Sequence, residues 1–352
     1  MCYNVDIMKK ILIFLVAIIL TTTLLLVFAG CGESFSKNSI MSQIDNNLGW
    51  HEGGTETCLY DVTVDGVKVG EYTSVMKSLF NQNVEIVSSS DSIKPTLSNF
   101  TGYKFTSTMS AEYDGKTFVK ETESYATHRL EPKLSFSKTV EDGETIEIVT
   151  SYEEKKSNVT FIKNGEVTTD SAKYSKSAFV VDNSFLYQFA RATTLSASLT
   201  IVVPTYNTAA SKTTNSSFTC SYASASNVIL ANKFVLNKSF SQTIASGEIS
   251  GEITSGSVNT GVADNSGDIT TSDADESGNI TVTYPNTLTA SIPVVKCTFT
   301  TTKTFPASGS ISCMISTAAM KEQGASRFVK RAVVRFQEDS ITYNLTSVNY
   351  TL

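Results

Sequence analysis

The chain has 352 residues, 41% of them apolar, a formal net charge of −6 and only two histidines. The acidic balance disfavours nucleic acid and anionic membrane surfaces as partners, because both are bound through basic patches. The length suits one large domain or two small ones, and the abundance of Ser and Thr with few helix-favouring periods predicts a mostly β protein.

The first organised stretch is Met8 to Cys31, MKKILIFLVAIILTTTLLLVFAGC. Lys9 and Lys10 form a positive n-region, Ile11 to Phe28 an apolar run broken only by Thr21, Thr22 and Thr23, and Ala29-Gly30 a small pair on which a peptidase can close. The cysteine directly after that pair makes the segment resemble a lipobox, with Phe28 where Leu is usual. The resemblance implies a thioether to diacylglycerol on Cys31 and cleavage before it. Residues 1–30 are therefore read as a lipoprotein signal peptide and Cys31 as the lipid-attachment site. The alternative is an uncleaved membrane anchor, because the apolar run approaches the roughly 20 residues that span a bilayer. Both readings hold the rest of the chain at the cell membrane on the extracytoplasmic side. Removing Lys9, Lys10 and Asp6 leaves the mature chain at −7.

Residues 31–56 are polar apart from Leu48 and Trp50 and are read as a tether, with Trp50 packing on the domain edge. Residues 57–352 are then expected to form a single β-rich domain. In Cys58 to Val64, Cys58, Tyr60, Val62 and Val64 share a face, and Asp65-Gly66 follows, a dipeptide suited to a hairpin turn that needs positive φ. Thr101 to Tyr113 alternates most clearly, with Tyr103, Phe105 and Met109 on one side and Lys104, Thr106 and Glu112 on the other, so one face is buried and one is wet. Asp114-Gly115, Asp142-Gly143 and Asn164-Gly165 open three further hairpins. Such a meander of long strands predicts strong curvature.

Asp182 to Ala197 breaks this pattern. Asp182 or Asn183 can cap a short helix that presents Phe185, Leu186 and Phe189 on one side, and such a helix would cover the apolar face of the sheet. Strand character resumes at 199–203, 218–222 and 227–236. The run 246–279, rich in Gly, Ser, Thr and acids and without aromatics, reads as a mobile insertion. Later strands are expected at 280–284, 294–300 and 311–315, closing with the pair Arg327–Phe336 and Ile341–Leu345.

Candidate chemistry is sparse. Cys58, Cys220, Cys297 and Cys313 are widely spaced, so pairing is open between three connectivities and four buried thiols. With no C-x-x-C and only His51 and His128, no metal site is expected. Neither histidine lies in a nucleophile signature, and the pairs Glu153-Glu154 and Glu141-Asp142 fall in hairpin turns. Asp273-x-Asp275-x-Ser277-Gly278 imitates the start of a calcium loop, yet Tyr284 stands where a bidentate Glu is required. In Phe328 to Phe336, Arg331 and Arg335 are read as the outer face of a strand.

The opening hairpin Tyr60 to Gly70, the helical stretch with Asp182, Leu186 and Arg191, and the closing Tyr343-x-Leu345 resemble the half-barrel of the LolA/LolB and LprG lipoprotein-carrier group. The likeness spans roughly Cys58 to Leu352, with the 246–279 insertion as a departure. It implies a mainly β fold, a curved antiparallel half-barrel-like sheet with one or two short covering helices. It also implies binding of a lipid or other apolar ligand in the cell envelope, no cofactor and no enzymatic activity. The alternative is a surface structural or protein-interaction lipoprotein without a small-molecule site. An apolar cavity between helix and sheet would favour the carrier, and a filled core the alternative.

Overall fold

The computed structural model describes residues 37–44, 48, 50, 53–90, 92–193, 195, 198–208, 210–237, 240–244, 270–271, 280–284, 287–301 and 311–352. Residues 1–30, Cys31, His51 and most of the run 246–279 lie outside them.

A short helix, α1 (Lys37–Ser42), precedes eight consecutive strands: β1 (Thr55–Val64), β2 (Val67–Glu85), β3 (Thr96–Tyr113), β4 (Lys116–Ala126), β5 (Pro132–Glu141), β6 (Glu144–Tyr152), β7 (Lys156–Lys163) and β8 (Glu166–Lys173). A 3₁₀ turn at Asn183–Phe185 runs into α2 (Leu186–Ala192). The chain continues through β9 (Leu199–Asn207), β10 (Lys212–Ser224), β11 (Val228–Leu236), β12 (Phe240–Ile244), β13 (Thr270–Thr271), β14 (Ile280–Tyr284) and β15 (Thr287–Ile292). It ends with β16 (Val294–Thr301), β17 (Ile311–Ser316), β18 (Met320–Glu322), β19 (Val333–Glu338) and β20 (Ile341–Thr351).

Fourteen of these strands form one antiparallel sheet in the order β8-β7-β6-β5-β4-β3-β2-β1-β20-β19-β17-β16-β10-β9. The four expected hairpins are all present, with positive φ at both turn residues of Asp65-Gly66, Asp114-Gly115, Asp142-Gly143 and Asn164-Gly165. These are the conformations that let two-residue turns follow the twist of the strands. Register shifts between β1 and β2, β1 and β20, β2 and β3, and β4 and β5 add curvature. The sheet therefore coils until its two ends meet, giving a nearly closed, barrel-like architecture.

The ends are joined by side chains and by a crossing segment. The carboxylate of Asp170 on β8 accepts the backbone N–H of Thr213 on β10, and the amide of Asn215 donates to the carbonyl of Lys173 at 2.6 Å. Phe161 on β7 stacks on Tyr206 on β9 at 4.8 Å. After β8 the chain crosses over and runs parallel along β9, where the Val181 N–H donates to the Val202 carbonyl and the Val202 N–H to the Phe179 carbonyl, both at 2.9 Å. That segment covers the edge β9 would otherwise expose.

Inside the coil sits α2. Its Leu186, Gln188, Phe189, Ala190, Arg191 and Ala192 are all buried, with Tyr187 partly so, and the helix fills most of the lumen. Phe179, Phe185, Phe189 and Phe218 pack around it with the inward residues of β1, β3, β16, β17 and β19. A second cluster lies on the outer face, where Leu79, Val84, Ile86 and Phe100 cover Tyr125, Leu134 and Val149. Asn81 and Asn99, both at positive φ, bend β2 and β3 over that face, and Glu147 pins the loop by accepting from the backbone and hydroxyl of Ser89 at 2.8 and 2.9 Å.

Two expectations need correcting. The stretch expected as a tether, 31–56, supplies α1 and the start of β1, and Ile40, Ile44, Leu48 and Trp50 are all core residues. Ile40 is the buried residue of α1, and Ile44 and Leu48, at the same four-residue spacing beyond it, are buried as well. The strand expected over Arg327–Phe336 begins only at Val333, because Arg331 holds φ 50° and Ala332, Val333 and Val334 are buried in succession rather than alternating.

The seam gives a local test. Replacing Asp170 with Ala removes a charge-assisted bond worth about 1.5–3 kcal/mol at most. The expected outcome is an amide exchange rate at Thr213 raised about tenfold or more, with the amides of β1 unchanged, read by hydrogen exchange.

Candidate functional site

The helix start forms the polar end of the lumen. Asp182 is extended (φ −71°, ψ 143°) and its Oδ1 accepts the backbone N–H of Ser184 at 2.9 Å, the N-cap geometry expected of an aspartate. The same buried carboxylate takes the hydroxyls of Tyr152 and Ser184, and Ser124 approaches it at 3.4 Å. Burial, and then the charge of Asp182, keep the Tyr152 hydroxyl protonated far above the ordinary tyrosine range.

In front of this cluster lies a recess of about 180 Å³ walled by Lys120, Ser135, Thr150, Asp182, Thr205 and Tyr206. It meets a smaller one of about 60 Å³, which shares Lys120, Thr122, Asn183 and Ser184 and reaches Tyr187 and Glu338. There Tyr187 donates to Glu338 at 2.7 Å. Strand alternation builds these walls, since Thr122 and Ser124 on β4, Ser135 and Ser137 on β5, and Ile148 and Thr150 on β6 point to one face. Two wall hydroxyls, those of Thr205 and Tyr206, are buried with no hydrogen-bond partner in the protein. A buried polar group left unpaired is costly and calls for an explanation.

The other end of α2 holds a buried ion pair. The guanidinium of Arg191 bridges both carboxylate oxygens of Glu56, the Nη2–Oε2 contact being 3.1 Å, with Arg191 1% and Glu56 2% exposed. Arg191 also donates to the carbonyl of Lys330 at 2.6 Å and to Gln188 at 3.2 Å, and it lies over the Trp50 ring at 5.0 Å. The Trp50 indole donates to Glu56 at 3.2 Å, so the tryptophan is a core residue here rather than one on the domain edge. Burial, and then the Glu56 charge, raise the Cys58 thiol well above its usual range. The strand expected from Cys58 starts at Thr55. Extending the same alternation two residues back would have placed Glu56 on the inner face.

The remaining candidates scatter. The His128 ring lies tilted against Tyr103 at 4.9 Å and Phe80 at 5.9 Å, away from the recess. Glu153 and Glu154 pair on the surface with Lys156 and Lys176, and Asp142 pairs with Lys116. The four described cysteines, Cys58, Cys220, Cys297 and Cys313, are buried thiols. Arg331, expected on an outer strand face, donates to the carbonyls of Arg191 and Thr193 at 3.3 and 3.1 Å and so closes the C-terminal end of α2. Arg335 donates to Asn344 at 2.6 Å. Cys31 and the 273–278 run lie outside the described residues. Among the described residues there is no cluster of three or more His, Cys, Asp or Glu able to hold a metal, and no helix long and apolar enough to cross a membrane.

The lumen is filled where the carrier resemblance implied an apolar cavity. Phe179, Phe185, Leu186 and Phe189 occupy the space between α2 and the sheet, each no more than 2% exposed. The open volume lies at the hydroxyl-lined end.

No protein-family model matches the chain, and no curated protein does. Among solved structures, the chain is similar to a β-barrel-like protein of a domain of unknown function, DUF1849, from Brucella abortus. The two share 11% identity at a TM-score of 0.36, over 85% of this chain and 98% of that one.

Breaking the ion pair from one side should be far worse than replacing both partners. Arg191→Met alone leaves the Glu56 carboxylate buried and uncompensated, an expected loss of about 3–5 kcal/mol. The double change Glu56→Gln with Arg191→Met should recover a large part of that. Urea unfolding followed by Trp50 fluorescence measures both.

Proposed function

We propose that this chain is a lipid-anchored binding protein of the extracytoplasmic face of the cell membrane, held through Cys31, which takes a small polar ligand at the N-terminal end of α2 and carries out no reaction on it. The observation that carries the reading is the row of hydroxyl side chains, Thr122, Ser135, Ser137 and Thr150, that lines the 180 Å³ recess beside Asp182 and Lys120. A ligand that brings its own hydrogen-bonding groups meets that row, and Lys120 supplies a further contact.

The size of the recess and its hydroxyl groups suit a small guest better than an acyl chain. Pockets for drug-sized apolar ligands run to roughly 300–1,000 Å³ with mostly hydrophobic linings, and this one is smaller and hydroxyl-rich. The resemblance to lipid carriers therefore supports the envelope setting and a binding role, with a polar guest in place of the apolar one. The non-enzymatic reading rests on the same groups: Asp182 is saturated by donors, and Tyr152 keeps its proton. The second reading, a structural or protein-interaction lipoprotein, is favoured by the filled core around Phe189.

Ligand-observed NMR on the full chain, with small polyols, monosaccharides and hydroxy acids, separates the two. The expected result is a binder whose affinity falls about tenfold when Thr122→Val and Ser137→Ala remove two of the lining hydroxyls. A protein that binds none of these, and whose native mass carries no small molecule, contradicts the binding reading and leaves the interaction reading.

A further inference from the structure

Three of the four described cysteines stand in a row across adjacent strands. Cys297 on β16 is directly opposite Cys313 on β17. On its other side Cys297 is opposite Tyr222 on β10, which makes Cys220, two residues before Tyr222, its diagonal neighbour on the same face. All three thiols are buried, and the Cys220 and Cys297 sulfurs lie 3.0 Å apart. The Cys220 thiol also reaches the Tyr222 hydroxyl at 3.5 Å, which in turn donates to the carbonyl of Ala190 on α2 at 2.8 Å.

We infer that Cys220 and Cys297 are joined by a disulfide in the exported protein, while Cys313 stays a thiol. The inference rests on the extracytoplasmic reading, because an oxidising compartment is where such bonds form and persist. The two thiols give up two protons and two electrons to a disulfide-bearing oxidant, through a mixed disulfide, and the oxidant leaves as a dithiol. In the folded sheet these sulfurs are out of reach of any oxidant, and the hydrogen bond shared with Cys297, with burial, holds the Cys220 thiol protonated. Pairing therefore precedes closure of the sheet.

Topology gives the bond its purpose. Between β10 and β16 the chain leaves the main sheet for the long excursion that carries β11 to β15 and the Gly- and Ser-rich run 246–279. A bond from Cys220 to Cys297 closes that excursion at its base, so the two flanking strands cannot be pulled apart by it. Closing a long loop removes more disorder from the unfolded chain than closing the short connection between β16 and β17 would. The Cys297–Cys313 alternative lies across that short connection.

Peptide mapping without reductant decides the matter, since trypsin places the three cysteines in separate peptides, 213–233, 297–303 and 304–321. The full chain is purified from the membranes of a bacterial host in detergent, with thiols blocked during denaturation. A second sample is refolded in a glutathione redox buffer. The inference expects peptides 213–233 and 297–303 linked in both samples, Cys313 alkylated, and a melting temperature that falls on adding reductant. A Cys313→Ala variant should keep the link, and a Cys220→Ala variant should lose the reductant-dependent drop. A link found only after refolding supports the pairing and contradicts the extracytoplasmic reading. No link in either sample, or one joining Cys297 to Cys313, overturns the inference.

Discussion

The arrangement depends on burying the Arg191 charge inside a coiled sheet. An ionised guanidinium out of water is tolerable only when a carboxylate and further acceptors surround it. Here Glu56 at the start of β1, the carbonyl of Lys330 and the side chain of Gln188 do so, with the Trp50 ring covering the group. Those partners come from the helix itself and from two remote parts of the chain. Any packing that shifts α2 along the lumen, or slips β1 by one residue, separates them and leaves a charge uncompensated. The pair adds little net stability over an apolar substitute, but it penalises every alternative placement of the helix. Arg331 strengthens the same point by meeting the last carbonyls of α2.

With the helix fixed at its C-terminal end, the rest of the lumen divides. Around Phe179, Phe185 and Phe189 the interior is apolar and full. At the N-terminal end, Asp182 must be supplied with donors, and the inward positions of β4, β5 and β6 are mostly Ser and Thr, with Lys120 and Ile148 among them. Hydroxyls are smaller than the aromatic side chains they stand in for, so the space that remains open is found there. The recess and the helix cap have one origin: a carboxylate that serves an N-terminus inside a barrel draws a polar lining around itself.

Much of the first half of the fold is legible in local sequence. The Asp-Gly and Asn-Gly pairs fix both turn residues at positive φ, and alternation in Tyr103, Phe105 and Met109 marks the inner face. The cap at Asp182 is legible for the same reason: its effect reaches only two residues. What escapes local reading is set by distant partners. Glu56 sits in a polar stretch, where alternation gives it an inner position but only a guanidinium 135 residues away lets a carboxylate stay there. Ile40, Ile44 and Leu48 are spaced for one face but too few to stand out beside the neighbouring polar residues. The break at Arg331 is set by its carbonyl partners on α2 and is invisible in a run that otherwise reads as β. Closure of the sheet through Asp170, Thr213 and Asn215 joins residues about forty apart and leaves no periodic trace.

The central claim is that α2 is an integral plug of the barrel, locked to β1, and not a lid upon it. Native-state hydrogen exchange of the α2 amides against those of β1 tests this most directly. A locked plug exchanges only through global unfolding, so the amides of Phe189 to Ala192 and of Cys58 to Val62 should share one protection free energy and one urea dependence. If the helix amides exchange much faster than β1, through an opening insensitive to urea, the helix moves independently of the sheet and the account fails.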